Sequence, residues 1–203
     1  TVIDDEGCKD TASIVINEPP ELVISSLTPQ NVLCYDSANG QITANVFGGT
    51  GSYSYVWSNG QTTNPAVDLI PLVYSVIVAD SMGCSVISLN EQITQPDSLH
   101  IDTITVTHVS CNGGNDGSAI ATVIGGTQSY TYSWSGGSDI NLVAGVYTST
   151  ITDANGCITS EDFTITEPLD LSILFTRDSV TCLGGSDGMA TANVLGGTGS
   201  YYL

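Results

Sequence analysis

The chain has 203 residues and a formal charge of −19 at pH 7, and its only basic side chains are Lys9 and Arg177. A surface this acidic lacks the cationic footprint that nucleic acid binding requires, and anionic lipid would repel it. No apolar run reaches the roughly 18 residues that span a bilayer. No signal-peptide pattern occurs within these residues, so the export signals of a secreted chain are expected outside them. Nucleic acid as a partner and a membrane span within this segment are therefore excluded.

One pattern recurs along the whole chain. The opening cysteines Cys34, Cys111 and Cys182 are each followed at the same offset by Gly-Gly-Thr, and an acidic or amide residue before proline ends each copy with periods of 77 and 72 residues. A period of this size predicts an array of small domains. The expected boundaries are the C-terminal part of a preceding repeat at 1–18, complete repeats at 19–95 and 96–167, and the N-terminal part of a further repeat at 168–203. The segment is thus expected to come from a longer array.

Alternation of apolar and polar residues predicts β-strands in every copy. In the first complete repeat Ile42, Ala44 and Val46 alternate with polar residues, and the second repeat has the same pattern from Ala119 to Val123. Gly-Gly and Asn-Gly pairs predict turns between the strands, and nothing predicts a helix of useful length. The predicted fold class is all-β, with tandem small immunoglobulin-like β-sandwich repeats of about 72–77 residues.

Aromatic residues recur on alternate positions after Gly-Gly-Thr. Tyr55 and Trp57 in the first repeat correspond to Tyr132 and Trp134 in the second. Strand spacing favours a role in the sandwich core for these four aromatic side chains. Stacking on sugar rings is the alternative.

Each complete repeat has one cysteine near its start and one near its end. The core of a repeat this small is marginally stable, so a covalent cross-link is expected. Closing a loop of about 50 residues would contribute roughly 4 kcal/mol on the chain-entropy model. Free thiols or a zinc site are the alternatives, although no C-x-x-C pair occurs and the two histidines do not recur. The predicted pairs are Cys34 with Cys84 and Cys111 with Cys157, with partners outside the chain for Cys8 and Cys182. Disulfides indicate a location outside the cytoplasm.

Acidic and amide residues flank these cysteines, and oxygen ligands gathered in loops suit Ca²⁺. The candidate ligands are Asp36, Asn39 and Asp80 in the first repeat, and Asn115, Asp116 and Asp153 in the second. Asx turns explain the same residues without metal, so both interpretations stay open. No other cofactor is expected. No histidine or basic residue recurs in register, so the segment is not expected to be an enzyme.

The succession Cys…Asn-Gly…Gly-Gly-Thr…Tyr-x-Tyr-x-Trp-Ser-Asn-Gly…Asp-x-x-Gly-Cys…Glu-Pro resembles the SprB repeat of giant surface adhesins in gliding Bacteroidota. This resemblance covers essentially the whole chain. It implies an extracellular cell-surface filament, exported by type IX secretion, that serves gliding motility or surface attachment. The partners it implies are neighbouring repeats and surface polysaccharide, with filament self-association as a further expectation. The same repeats occur in secreted proteins with no part in gliding, so a carbohydrate-binding or spacer module array of a secreted multidomain protein is the alternative.

A second motif agrees with that resemblance. Bacteroidota attach O-glycans at Asp-Ser or Asp-Thr before a small or aliphatic residue, and such sites occur in this chain more often than chance would give. The candidates are Thr11, Ser37, Ser81, Ser98, Thr103 and Ser179. Asp-Ser and Asp-Thr are also common turn pairs, which is the alternative explanation.

Overall fold

A computed structural model describes residues 1–202 of the chain; Leu203, the last residue of the predicted segment 168–203, lies outside the described residues. All regular structure within 1–202 is antiparallel β-sheet without a helix. The chain divides into two compact units. The first comprises Thr1–Val32 and Asp36–Gln95, and the second comprises Leu33–Tyr35 and the chain from Pro96 onward. The predicted all-β fold class is confirmed.

The first unit begins with an exposed hairpin and continues with the first complete repeat. The hairpin strands are β1 (Val2–Ile3) and β2 (Lys9–Asp10). The strands that follow are β3 (Val23–Gln30), β4 (Gly40–Phe47), β5 (Ser54–Trp57), β6 (Ala66–Leu69), β7 (Val73–Tyr74), β8 (Val76–Ala79), β9 (Ser85–Ile87) and β10 (Glu91–Gln92). One sheet has the order β3-β4-β6 and another the order β5-β8-β9, while β7 pairs with β10.

A single apolar core joins the two three-stranded sheets of this repeat. Ile42 and Leu69 enter it from the first sheet, and Trp57, Val76 and Val78 enter it from the second, all nearly inaccessible to water. Alternate residues of one strand point to opposite faces, so the period-two pattern read from the sequence becomes one buried face on each sheet. Two sheets that share one core form a β-sandwich.

The second repeat lies in the second unit and has the same plan. Its strands are β11 (His100–Thr107), β12 (Gly117–Ile124), β13 (Thr131–Trp134), β14 (Ile140–Leu142), β15 (Gly145–Thr152) and β16 (Ile158–Ile165). The sheet orders are β11-β12-β14 and β13-β15-β16. Phe163 packs edge-on against Trp134 and is stacked on Tyr147, with ring centroids 5.7 Å apart in both pairs. The last two strands, β17 (Ser172–Asp178) and β18 (Met189–Leu195), form an exposed pair.

Candidate functional site

The Gly-Gly-Thr motif forms a corner at which two backbone segments touch. In the first repeat this corner consists of residues 48–50, and Gly48 and Gly49 have φ angles of 77° and 63°. The Gly49 N–H donates to the carbonyl oxygen of Pro20 at 2.8 Å. A Cβ atom on Gly48 would lie 1.8 Å from the carbonyl oxygen of Glu21, which no side chain tolerates. The motif therefore needs glycine for both backbone conformation and space.

The second repeat builds the same corner from residues 125–127. The Gly126 N–H donates to the Asp97 carbonyl oxygen at 2.9 Å, and a Cβ on Gly125 would lie 1.9 Å from the Ser98 carbonyl oxygen. A tyrosine also closes each corner, since Tyr53 donates to the Gly48 carbonyl and Tyr130 to the Gly125 carbonyl. Those two hydrogen bonds measure 2.7 and 2.6 Å.

A buried carboxylate ties the corner of the first repeat to its closing cysteine. Asp80 accepts the N–H of Thr50 at 2.8 Å, that of Met82 at 3.0 Å and that of Cys84 at 2.9 Å. Burial acts to raise the pKa of Asp80, but the N–H donors, led by Thr50 and followed by Cys84 and Met82, outweigh it and hold that pKa below its ordinary value. Asp80 therefore joins two recurring motifs that are far apart in the sequence.

Asp153 has the same role in the second repeat. Its carboxylate accepts the N–H of Thr127 at 2.8 Å and those of Asn155 and Cys157 at 2.9 Å each. Burial again acts to raise the pKa of Asp153, and the same kind of N–H donors lower it overall. Sequence reasoning treated these two aspartates as turn or calcium residues and missed their bond to Gly-Gly-Thr. The feature of the sequence that points to this bond is the recurrence of Gly-Gly-Thr together with Asp-x-x-Gly-Cys in both repeats.

Acid should destabilise the first repeat through Asp80. The folded-state pKa of this group is below its ordinary value of 3.8, so its stabilising contribution is complete above that value and is lost as the pH falls through the lowered pKa. We expect the melting temperature to drop steeply below about pH 4. Asp80→Asn should lower the melting temperature at pH 7 and flatten that acid dependence, as followed by calorimetry. The control is Glu18→Gln, which removes an exposed carboxylate. If the melting temperature of Asp80→Asn depended on pH in the same way as that of the wild type, this role of Asp80 would be contradicted.

Three of the calcium candidates accept backbone hydrogen bonds. Asp80 and Asp153 each accept the N–H of the residue two positions later, as in an Asx turn. Asp116 accepts the N–H of Ser110, six residues before it, at 2.9 Å. Within residues 1–202, no three His, Cys, Asp or Glu side chains are grouped so that they could hold a metal ion. Calcium binding by these loops, which also contain Asp36, Asn39 and Asn115, stays a prediction.

The predicted disulfide pairs do not form. Among residues 1–202 the structure has one disulfide, Cys34–Cys157, with Cα atoms 5.7 Å apart. The other four cysteines are free and exposed, namely Cys8, Cys84, Cys111 and Cys182. The pairs Cys34–Cys84 and Cys111–Cys157 were therefore wrong, although two of the predicted cysteines are bonded.

The physical reason is the position of the short segment Leu33–Tyr35. This segment belongs to the second compact unit although the strands on either side of it, β3 and β4, lie in the first. Its Leu33 carbonyl accepts a hydrogen bond from the Asn155 side chain at 2.9 Å, which places Cys34 beside Cys157. The bond joins residues 123 positions apart, so the chain-entropy estimate rises to about 5 kcal/mol.

The aromatic candidates differ between the two repeats. Trp57 is buried, with 2% of its surface exposed, and its indole N–H donates to the Thr63 carbonyl at 2.8 Å. Tyr55 is half-buried against the same core. Trp134 is only half-buried, and Tyr132 is 44% exposed, so the core prediction was wrong for Tyr132.

Loop length explains this difference. Twelve residues lead from Trp57 to Leu69, whereas eight lead from Trp134 to Leu142. In the longer loop Asn64 bonds both the N–H and the carbonyl of Ala44 at 2.9 Å, which holds the loop over Trp57. The shorter loop leaves a cleft of about 360 Å³ lined by Ile120, Ala121, Tyr132, Trp134 and Asp139.

The glycosylation candidates lie mostly at the surface. Ser37 is half-buried, and the other five, Thr11, Ser81, Ser98, Thr103 and Ser179, are exposed. The Ser81 hydroxyl donates to the Thr50 carbonyl at 2.6 Å, so a glycan there would break a bond of the corner. Glycosylation at the six sites stays a prediction.

The Gly-Gly-Thr corner and the aromatic strand of both repeats lie within segments that match a known family. The SprB repeat matches residues 26–62, 103–139 and 175–202, about half of the chain. The chain belongs to the SprB repeat family. The SprB repeat is a structural module that occurs in gliding adhesins of Bacteroidota and is associated with surface proteins.

Two further findings accompany the SprB match. No curated protein matches the chain. Among residues 1–202, no helix is long and apolar enough to cross a membrane. The resemblance to the SprB repeat read from the sequence is thus confirmed, while the function of this particular array rests on further argument.

Proposed function

We propose that this chain is a structural and adhesive segment of a long extracellular filament or surface adhesin that serves gliding motility or surface attachment. The observation that carries the proposal is the tandem occurrence of one structural module at residues 26–62, 103–139 and 175–202. Modules that repeat in series build length, because each adds its own small core to the array. The repeats are taken to be 19–95 and 96–167, with partial repeats at 1–18 and 168–203.

Charge supports a surface filament. With 21 acidic residues against two basic ones, segments of this kind repel each other and stay solvated at neutral pH. An extracellular location, reached through type IX secretion, would also permit the disulfide Cys34–Cys157 to persist, since reducing compartments cleave such bonds. Neighbouring repeats of the same polypeptide are then the main partners.

A carbohydrate-binding role is the second candidate, and the cleft beside Trp134 favours it. Its lining combines a tryptophan, an exposed tyrosine and the Asp139 residue, and basic residues are absent from it. Aromatic faces with a nearby carboxylate suit neutral sugars rather than anionic ones. Surface polysaccharide is the ligand that this second candidate requires.

Labelling of intact cells tests the proposed function. An antibody raised against this chain should bind cells of the source organism without permeabilisation, and deleting these repeats from the gene should reduce attachment of the cells to a surface. Labelling only after permeabilisation, or unchanged attachment, would overturn the proposal. Soluble neutral polysaccharide should inhibit attachment if the cleft binds sugar, and should have no effect if the repeats are spacers.

A further inference from the structure

The disulfide Cys34–Cys157 joins an opening cysteine to a closing cysteine of the following repeat. We use closing cysteine for Cys8, Cys84 and Cys157, each of which ends an Asp-x-x-Gly-Cys motif. Cys34 opens the first complete repeat and Cys157 closes the second. The bond therefore skips the nearer closing cysteine, Cys84, which is free and exposed.

All three closing cysteines are held in one backbone geometry. The N–H of Cys157 donates to the Asp153 carboxylate at 2.9 Å, and the N–H of Cys84 donates to the Asp80 carboxylate at 2.9 Å. In the N-terminal hairpin the N–H of Cys8 donates to the Asp4 carboxylate at 2.8 Å. In each case the aspartate N–H also donates back to the cysteine carbonyl, at 3.0, 2.9 and 3.1 Å respectively. Cys84 and Cys8 thus present the same half of a disulfide site as Cys157.

The opening cysteines also share one backbone geometry. The second residue after each of them has a left-handed conformation, with φ of 56° at Asp36, 72° at Gly113 and 86° at Gly184. Cys111 and Cys182 each accept the N–H of the glycine three residues later, at 3.0 and 2.9 Å. Cys111 and Cys182 therefore occupy the same turn that Cys34 occupies in the bonded site, and both are free and exposed.

We propose that the opening cysteine of every repeat forms a disulfide with the closing cysteine of the next repeat, so that the array carries a continuous ladder of staggered bonds. Within this chain that rule permits one bond, Cys34–Cys157, which is the bond the structure has. The partner of Cys84 is then the opening cysteine of a preceding repeat. The partners of Cys111 and Cys182 are closing cysteines of following repeats.

Each bond of the ladder forms when two thiols lose two protons and two electrons. The electrons reduce a disulfide oxidant, such as oxidised glutathione or a disulfide-bonded oxidoreductase, to two thiols. The Asp-x-x-Gly-Cys turn of the closing half-site recurs at Cys8, Cys84 and Cys157. The Asn155 bond to Leu33 belongs to the bonded site, and Met82 stands at the position of Asn155 in the first repeat.

The staggered arrangement makes consecutive covalent loops overlap. Cys111 lies inside the loop that Cys34 and Cys157 close, so the loop that begins at Cys111 starts before the first one ends. When the chain is pulled from its ends, the disulfide prevents the segment between Cys34 and Cys157, which are 123 positions apart, from being stretched out. Intra-repeat bonds would instead leave the connections between repeats without any covalent bridge.

Thiol counting on this chain tests the rule. After refolding with oxidised and reduced glutathione, denaturation and alkylation without reduction, we expect four modified cysteines, Cys8, Cys84, Cys111 and Cys182. The peptides that contain Cys34 and Cys157 should be linked. Two modified cysteines, six modified cysteines, or a Cys34–Cys84 or Cys111–Cys157 peptide would overturn the proposal.

Two serine variants provide matched controls. Cys34→Ser should leave all five remaining cysteines open to alkylation, because Cys157 loses its partner. Cys84→Ser should keep the Cys34–Cys157 peptide and leave three modified cysteines. Loss of the Cys34–Cys157 bond in Cys84→Ser would contradict the ladder.

The native polypeptide isolated from its source cells tests the extension beyond this chain. In its non-reduced digest the peptide that contains Cys84 should be linked to the opening cysteine of another repeat. A free Cys84 thiol in the native polypeptide, or a bond from Cys84 to Cys34, would overturn the ladder. This result is independent of whether the array proves to be adhesive.

Discussion

Replacing Gly48 with alanine should lower the free energy of unfolding of the first repeat by about 3 to 5 kcal/mol. The added Cβ would lie 1.8 Å from the Glu21 carbonyl oxygen, and the residue has a φ of 77° that alanine disfavours. The two backbone segments would have to separate, which would also weaken the Gly49 hydrogen bond to Pro20. Hydrogen exchange of β4 and β8 peptides, read by mass spectrometry, would measure the loss.

Gly60→Ala is the matched control for this variant. Gly60 has a φ of 87°, but nothing lies within 4 Å of its added Cβ. The control therefore has the conformational cost alone, about 1 to 2 kcal/mol. Equal losses in the two variants would show that close approach of the backbones at Gly48 contributes nothing.

Replacing Trp57 with alanine should lower the free energy of unfolding of the same repeat by about 3 to 5 kcal/mol. Trp57 is 2% exposed and lies in the core shared by both sheets, so its removal leaves a cavity between them. It also leaves the Thr63 carbonyl without its indole donor. In a domain of this size such a loss is a large fraction of the total stability, and exchange of the β5 and β8 peptides should approach that of the unfolded chain.

Trp134→Ala provides the comparison in the second repeat. Trp134 occupies the equivalent position but is only half-buried beside an open cleft, so we expect a smaller loss of about 2 kcal/mol. Trp57→Phe, which keeps an aromatic ring without the N–H, should fall between wild type and Trp57→Ala. A cost for Trp134→Ala that equals or exceeds that for Trp57→Ala would contradict the role assigned to the longer loop.

The two variants address different features of the repeat. Gly48→Ala measures how much stability depends on glycine at the Gly-Gly-Thr corner. Trp57→Ala measures how much stability depends on a large side chain in the core between the two sheets. Both lie in segments that the repeat pattern singles out, so their counterparts Gly125 and Trp134 allow each conclusion to be checked within one molecule. Alanine at Gly48 and at Gly125 should lower the free energy of unfolding by equal amounts. Alanine at Trp57 should lower it more than alanine at Trp134.

The local sequence pattern was sufficient to predict the β-strands and the repeat. Ile42 and Ala44 alternate with polar residues and are buried on β4, because the direction of a side chain on a strand follows from its position along the strand. The Gly-Gly pairs form tight corners as expected, since glycine is the residue that accepts their positive φ. These features depend on neighbours in sequence, which a single sequence displays directly.

Burial of the aromatic residues could be predicted only in part. The strand pattern is the same at Tyr55 and Tyr132, yet Tyr55 is half-buried and Tyr132 is exposed. The difference comes from a loop that follows the strand and whose path is set by Asn64 bonds to Ala44. The sequence shows that the loop of the second repeat is four residues shorter. It does not show which side chain the shorter loop leaves exposed.

Sequence alone determined the all-β class, the period and the family, because these follow from local alternation and from recurrence along the chain. Tertiary structure alone decided which partner each of the recurring residues meets. Cys34 bonds Cys157 rather than Cys84, and Asp80 binds the Gly-Gly-Thr corner, because contacts between distant segments depend on how the backbone returns on itself. Spacing constrains such pairings without selecting among them, since the cost of closing a loop changes only slowly with its length.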